Sequence, residues 1–163
     1  MPAQTLRPKP SARCQAESGF TLAELIVLIA VIGILSIMAM PSFLRYYQAA
    51  TLKSGAQQFA ALINQAREIA IKENDNLCVK LSSPTQMMYA RSTCGGTAWT
   101  GAGTDAAGHI NLPPRISATA PANPPIFNYV GSALPAGTFT LTNIDTGATL
   151  TVSVAASGRV TIP

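Results

Sequence analysis

From Phe20 to Met40 the chain reads "FTLAELIVLIAVIGILSIMAM", apolar at nearly every position, with one carboxylate, Glu24, near its start. The run is 21 residues long, which as a helix is about 31 Å and matches the roughly 30 Å hydrocarbon core of a bilayer. It is long enough to span once. Gly33 and Ser36 allow close helix approach, and Pro41 is expected to end or kink the helix near the interface, where Phe43, Tyr46 and Tyr47 follow. Beyond Pro41 the pattern changes. Leu52, Ala56, Phe59, Ile63, Ala66 and Ala70 recur at spacings of four and three, with Lys53, Gln57, Asn64 and Lys72 largely on other faces. That periodicity predicts an amphipathic helix, continuous with the first, to about Glu73, and Asn74-Asp75-Asn76 reads as its stop.

The period then shortens to two. Leu77 to Leu81 and Gln86 to Arg91 form a hairpin pair, followed by a Gly-, Ala- and Pro-rich stretch from Ser92 to Pro125. Ile126 to Val130, Thr138 to Thr142, Thr149 to Ala155 and Arg159 to Ile162 are further strand candidates, with clear alternation in "TFTLTN" and "TLTVSV". Asp145-Thr146-Gly147 and Ala156-Ser157-Gly158 punctuate them as turns. The expected fold class is α+β, a long N-terminal helix packed on a small antiparallel β domain.

Glu24 needs a reason. A charge at the centre of a membrane helix costs about 2.5 to 3.5 kcal/mol even on lenient insertion scales, so a carboxylate there points to function and to a partner. A secretory signal peptide places its cleavage site beyond the apolar core, where Ala39 is a mediocre candidate, and a plain uncleaved anchor leaves Glu24 unexplained. Arg7, Lys9 and Arg13 before the run, against Arg45 and Lys53 after it, favour an N-terminus on the cytoplasmic side.

The sequence Gly19-Phe20-Thr21-Leu22-Ala23-Glu24-Leu25, followed by the apolar run and Pro41, resembles the class III signal of type IV prepilins and type II secretion pseudopilins. The resemblance implies cleavage between Gly19 and Phe20 by a prepilin peptidase, N-methylation of the new Phe20 amine, and a salt bridge in the filament between Glu24 and that amine on a neighbouring subunit. Two unit charges about 4 Å apart attract by roughly 4 kcal/mol at an effective dielectric near 20, which is comparable to the insertion cost. The implied organisation is a leader over 1–19, a membrane and filament-core segment over 20–41, an amphipathic helix over 42–75 and a β domain over 76–163. The implied location is the inner membrane, single-pass with the C-terminal domain periplasmic, and afterwards a pilus or pseudopilus. Within this group, Ala66-Arg67, Ala70-Ile71, a first strand containing Cys78 and a final strand introduced by Gly158-Arg159 resemble the FimT/GspH family of minor pilins and pseudopilins.

Composition narrows the chemistry. With 163 residues, 48% hydrophobic and 11% charged, there is room for one modest domain beside the membrane segment and none for a second, enzyme-sized one. The net charge is +4, but removal of Arg7, Lys9, Arg13 and Glu17 with the leader takes eleven basic and seven acidic residues to eight and six. Cys14 lies in the leader; Cys78 and Cys94 in an exported domain read as a disulfide, the alternative being two buried free thiols. Such a bond stabilises by roughly 3 kcal/mol. No nucleophile with a base at recognisable spacing, phosphate-binding loop or metal-ligand cluster is evident, and His109 stands alone in a Gly-rich loop, so neither enzyme activity nor a cofactor is expected. Gly101, Gly103 and Gly108 read as loop flexibility, and Trp99 as an aromatic tucked onto the core, with partner contact by Trp99 or His109 as the alternative.

The expected function is a minor pilin or pseudopilin subunit that enters a filament through its helix and helps initiate or cap assembly. The alternative is a DNA-binding minor pilin acting in natural transformation. FimT-like binders carry basic residues near the C-terminal Gly-Arg motif; Arg159 matches, the position two further on is Thr161, and Arg115 and Arg91 are the remaining candidate DNA contacts.

Overall fold

The computed structural model describes residues 19–163; residues 1–18, with Cys14 and the leader charges, lie outside the described part. The described chain divides into two compact units, one reaching to Pro41 and the other Ser42–Pro163.

In the first unit Thr21 precedes α1, which spans Leu22–Glu73 and carries Pro41 inside it. The helix therefore does not end at the proline. Every large apolar side chain from Phe20 to Met40 is exposed.

In the second unit the rest of α1 buries one stripe, Leu52, Gly55, Ala56, Phe59, Ile63, Ala66 and Ala70, as the spacing predicts. The helix closes in a Schellman motif: Asn74 adopts φ 53°, its amide donates to Ile71, and the Asp75 amide donates to Ala70. The buried stripe packs on two antiparallel sheets. The first has the order β3-β2-β1-β5-β6, built from β1 Leu77–Ser83, β2 Gln86–Arg91, β3 His109–Asn111, β5 Ile126–Phe127 and β6 Ala133–Leu134. The second has the order β4-β7-β8-β9, built from β4 Ile116–Thr119, β7 Gly137–Asn143, β8 Thr149–Val154 and β9 Val160–Thr161.

One helix face meets both sheets. Phe59 packs edge-on against Phe139 of β7 at 5.1 Å between ring centroids, while the Tyr89 hydroxyl of β2 donates to the Leu62 carbonyl at 2.7 Å. Gly55 permits the close approach of β4, since a Cβ there would sit 2.8 Å from Ile116 Cγ1. The alternation read in β7 and β8 holds: Phe139, Leu141, Val152 and Val154 point into the core, and the intervening threonines and Ser153 face outward.

The stretch from Ser92 to Pro125 differs from expectation. It contains β3, which pairs with β2, and β4, which pairs with β7. His109 is thus the first residue of a strand, not a loop residue. Ile126 to Val130 shortens to Ile126–Phe127 because Asn128 to Ser132 closes a turn, and the unforeseen β6 follows it.

Candidate functional site

No described residue of its own unit covers the N-terminal segment. Phe20 is 79% exposed, and apolar exposure continues through Met40. Each such side chain gains about 1.5 to 3 kcal/mol on full burial, so the segment is built for an apolar surround. It is one helix long and apolar enough to cross a membrane.

Its carboxylate is held locally. Glu24 Oε2 accepts from the Thr21 amide at 3.0 Å and the Thr21 hydroxyl at 2.9 Å, while the Glu24 amide donates to Thr21 Oγ1 at 3.2 Å. This is a reciprocal capping box, Thr at the N-cap and Glu three residues on. The T-x-x-E spacing is visible in the sequence, and a reading centred on the membrane cost of Glu24 passes over it. The carboxylate sits on an open face of the helix beside Phe20, Ala23, Val27 and Leu28. Gly19, the residue before Phe20, is exposed and lies outside the helix.

In the globular unit Cys78 and Cys94 form a disulfide with a Cα separation of 5.0 Å, which fastens the start of β1 to the loop after β2. Lys80 Nζ donates to the Cys94 carbonyl at 2.6 Å. Trp99 is buried beside Tyr89, with ring centroids 6.0 Å apart, and its Nε1 donates to Glu73 at 2.8 Å. It is a core aromatic with its polar edge satisfied. His109 lies 3.5 Å through Nδ1 from Asp105, whose carboxyl is held below the ordinary range chiefly by the His109 amide, with help from that of Ala107. Among the described residues no cluster of three His, Cys, Asp or Glu gathers as a metal site.

Of the three arginines named as candidate DNA contacts, two are paired with carboxylates, and Arg115 and Arg159 are not brought together. Arg91 pairs with Glu73 at 2.6 Å, and Arg115 pairs with Asp145 at 3.0 Å. Arg115 bonds through its carbonyl to Ile144 at the β7–β8 turn, whereas Arg159 lies at the β8–β9 turn, the other end of β8. A six-residue strand separates those ends by about 20 Å.

The Gly-Arg pair before β9 has a structural reason of its own. Gly158 has φ 77° and is buried against the Gly131 carbonyl, where a Cβ would collide. Arg67 Nε donates to that same carbonyl at 2.8 Å. Helix α1, the β5–β6 turn and the β8–β9 turn are therefore locked at one point. This joint unites residues far apart in sequence and carries no local signal.

The family profile described as Type II transport protein GspH matches residues 55–158. The chain belongs to the GspH family. That is a family of structural pilin and pseudopilin subunits. Among solved structures the chain is similar to the type IV minor pilin FimU of Pseudomonas aeruginosa, at 15% identity over 72% of this chain and 92% of that one, with a TM-score of 0.52. It is likewise similar to the minor pseudopilin EpsH from the Type 2 Secretion System of Vibrio cholerae, at 13% identity over 69% and 96% of the two chains, also with a TM-score of 0.52. At these identities the likeness is one of fold. No curated protein matches the sequence. Membership in the GspH family agrees with the pilin-like arrangement of a long N-terminal helix and packed antiparallel sheets.

Proposed function

We propose that the chain is a noncatalytic minor pilin or pseudopilin subunit, anchored in the inner membrane by 20–41 and then incorporated through that helix into a type IV pilus or type II secretion pseudopilus, where it helps initiate or cap assembly. One observation carries this reading: a wholly exposed apolar helical segment holds a single carboxylate in its first turn. The prepilin peptidase cuts between Gly19 and Phe20 and methylates the Phe20 amine, with the N-terminus cytoplasmic and the globular unit periplasmic. Thr21 and Glu24 both lie on the mature side of that cut, so the capping box survives it.

Before assembly the Thr21 donors compensate the Glu24 carboxylate; in the filament the Phe20 amine of a neighbouring subunit becomes its counter-ion and sets the axial register. The expected result for Glu24→Ala is unchanged cleavage and membrane insertion with strongly reduced recovery in sheared filaments. Recovery of that variant at wild-type level would remove the pairing role.

The DNA-uptake reading is less favoured because Arg91 and Arg115 are already paired with carboxylates of their own chain. Salt-sensitive retardation of DNA by micromolar protein, lost in Arg159→Ala, would reverse that preference.

A further inference from the structure

Past Tyr47, the large apolar side chains that stay exposed in the described chain are Ile71, Tyr129, Val130, Leu134 and Ile144. Four of these five belong to one place. Tyr129 and Val130 form the tip of the β5–β6 turn, Leu134 follows it on β6, and Ile71 Cδ1 lies against Gly131 within the same turn. An apolar concentration of this kind on an otherwise polar surface marks an interaction site.

The turn is built, not loose. The Asn128 amide donates to the Ser132 carbonyl at 2.9 Å, and Asn128 Oδ1 accepts from the amides of Val130 at 3.1 Å and Ser132 at 2.9 Å. Arg67 holds the Gly131 carbonyl from the helix side, and the Ala133 amide donates to the Ala156 carbonyl at 3.0 Å, which brings the β8–β9 turn alongside. Arg159 follows in that second turn, exposed, with no ion pair among the described residues. Neither 126–134 nor 155–163 contains an acidic residue. The tip thus presents aromatic and aliphatic side chains in a fixed backbone, flanked by the guanidinium groups of Arg67 and Arg159; neither turn supplies a carboxylate, and on the helix the exposed Glu68 lies three positions before Ile71.

We propose that this turn is a docking knob for the globular domain of a different filament subunit, one that offers an apolar hollow rimmed by carboxylates. The proposal rests on the filament reading above. Tyr and Arg are the side chains that dominate protein interfaces, and a preformed turn loses little conformational freedom on binding. Two of the alternatives fit less well. A two-fold contact of this patch with the same patch of a second copy would bring two patches together that each carry Arg159 and offer no carboxylate from either turn, since such interfaces are self-complementary. A nucleic acid could stack a base on Tyr129 but would gain little from the three aliphatic side chains and would meet few cations.

The test uses the full chain in its own cells, with p-benzoylphenylalanine in place of Tyr129 and, as a control, in place of Thr140 on the outward face of β7. Wild-type recovery in sheared filaments is measured in parallel. The expected result is a photo-adduct at position 129, absent at 140, with another protein that carries a prepilin signal, mapped to a peptide containing Asp or Glu. Arg159→Glu lowers its yield by about tenfold, and reversal of the mapped carboxylate to Lys restores it. An adduct with a second copy or with nucleic acid, no adduct, or an adduct indifferent to Arg159→Glu overturns the knob while filament recovery stays normal. Absence of the wild-type chain from filaments overturns the filament reading as well.

Discussion

The two parts of α1 are made of similar residue types and bury them in opposite ways. From Phe20 to Met40 the apolar side chains surround the helix and are exposed, whereas from Leu52 to Ala70 they form one stripe that is buried on two sheets. The difference is one of pattern more than of hydrophobicity. An all-round apolar surface suits an environment apolar on every side, a bilayer or a filament core, while a stripe suits a single partner surface. The carboxylate Glu24 belongs to the first kind and, among the described residues, is tied only to Thr21. Glu73, at the end of the second part, is tied across the fold to Arg91 and Trp99.

The contrast is broken most severely by truncating matched apolar residues in the two parts. Phe59→Ala removes a fully buried ring packed on Phe139 of β7 and is expected to destabilise the globular unit by about 3 to 5 kcal/mol. Leu35→Ala, in the exposed segment, is expected to leave the same unfolding transition within about 0.5 kcal/mol. Denaturant unfolding of the detergent-solubilised chain, followed by near-ultraviolet circular dichroism, reads both. Equal effects would show that the two parts do not serve separate environments.

The disulfide comes next in size. Cys78 and Cys94 lie 16 positions apart, and replacing both by Ser should lower the stability of the globular unit by roughly 3 kcal/mol while leaving the membrane segment's insertion unchanged. An unfolding midpoint unaltered by reductant would contradict this.

Among the changes within the globular unit, Tyr89→Phe gives the smallest effect and sharpens the contrast by pH. Its hydroxyl bond to the Leu62 carbonyl contributes about 1 kcal/mol, so a loss of that order is expected at neutral pH. Burial also pushes the Tyr89 phenol above its ordinary pKa. The unfolded chain loses this proton first, so the contribution is complete below about pH 10 and erodes as pH rises beyond it toward the folded value. Stability profiles of wild type and Tyr89→Phe should therefore converge in alkali, and parallel profiles would count against a buried phenol.

Much of this was legible in the sequence because its signals are periodic or local. The apolar run, the stripe from Leu52 to Ala70, the helix stop at Asn74 and the β1–β2 hairpin each announce themselves within a few residues. The strands that escaped notice, β3, β4 and β6, are two to four residues long and lie among Gly, Pro and Ala, where alternation has no length in which to show. They exist because β2, β7 and β5 offer them unpaired edges. The capping role of Thr21 was present as T-x-x-E and was masked by the membrane question. The joint of Arg67, Gly131 and Gly158 depends on chain returning from three places, so Gly158-Arg159 shows as a motif without showing its reason.

The central claim is that the exposed apolar helix, freed at Phe20, is what enters the filament. The direct measurement is the intact mass of the chain recovered from a sheared filament fraction. The account predicts a polypeptide that begins at Phe20, carries one methyl group on its amine, and has Cys78 bonded to Cys94. Assembled protein that still contains residues 1–19 would contradict it.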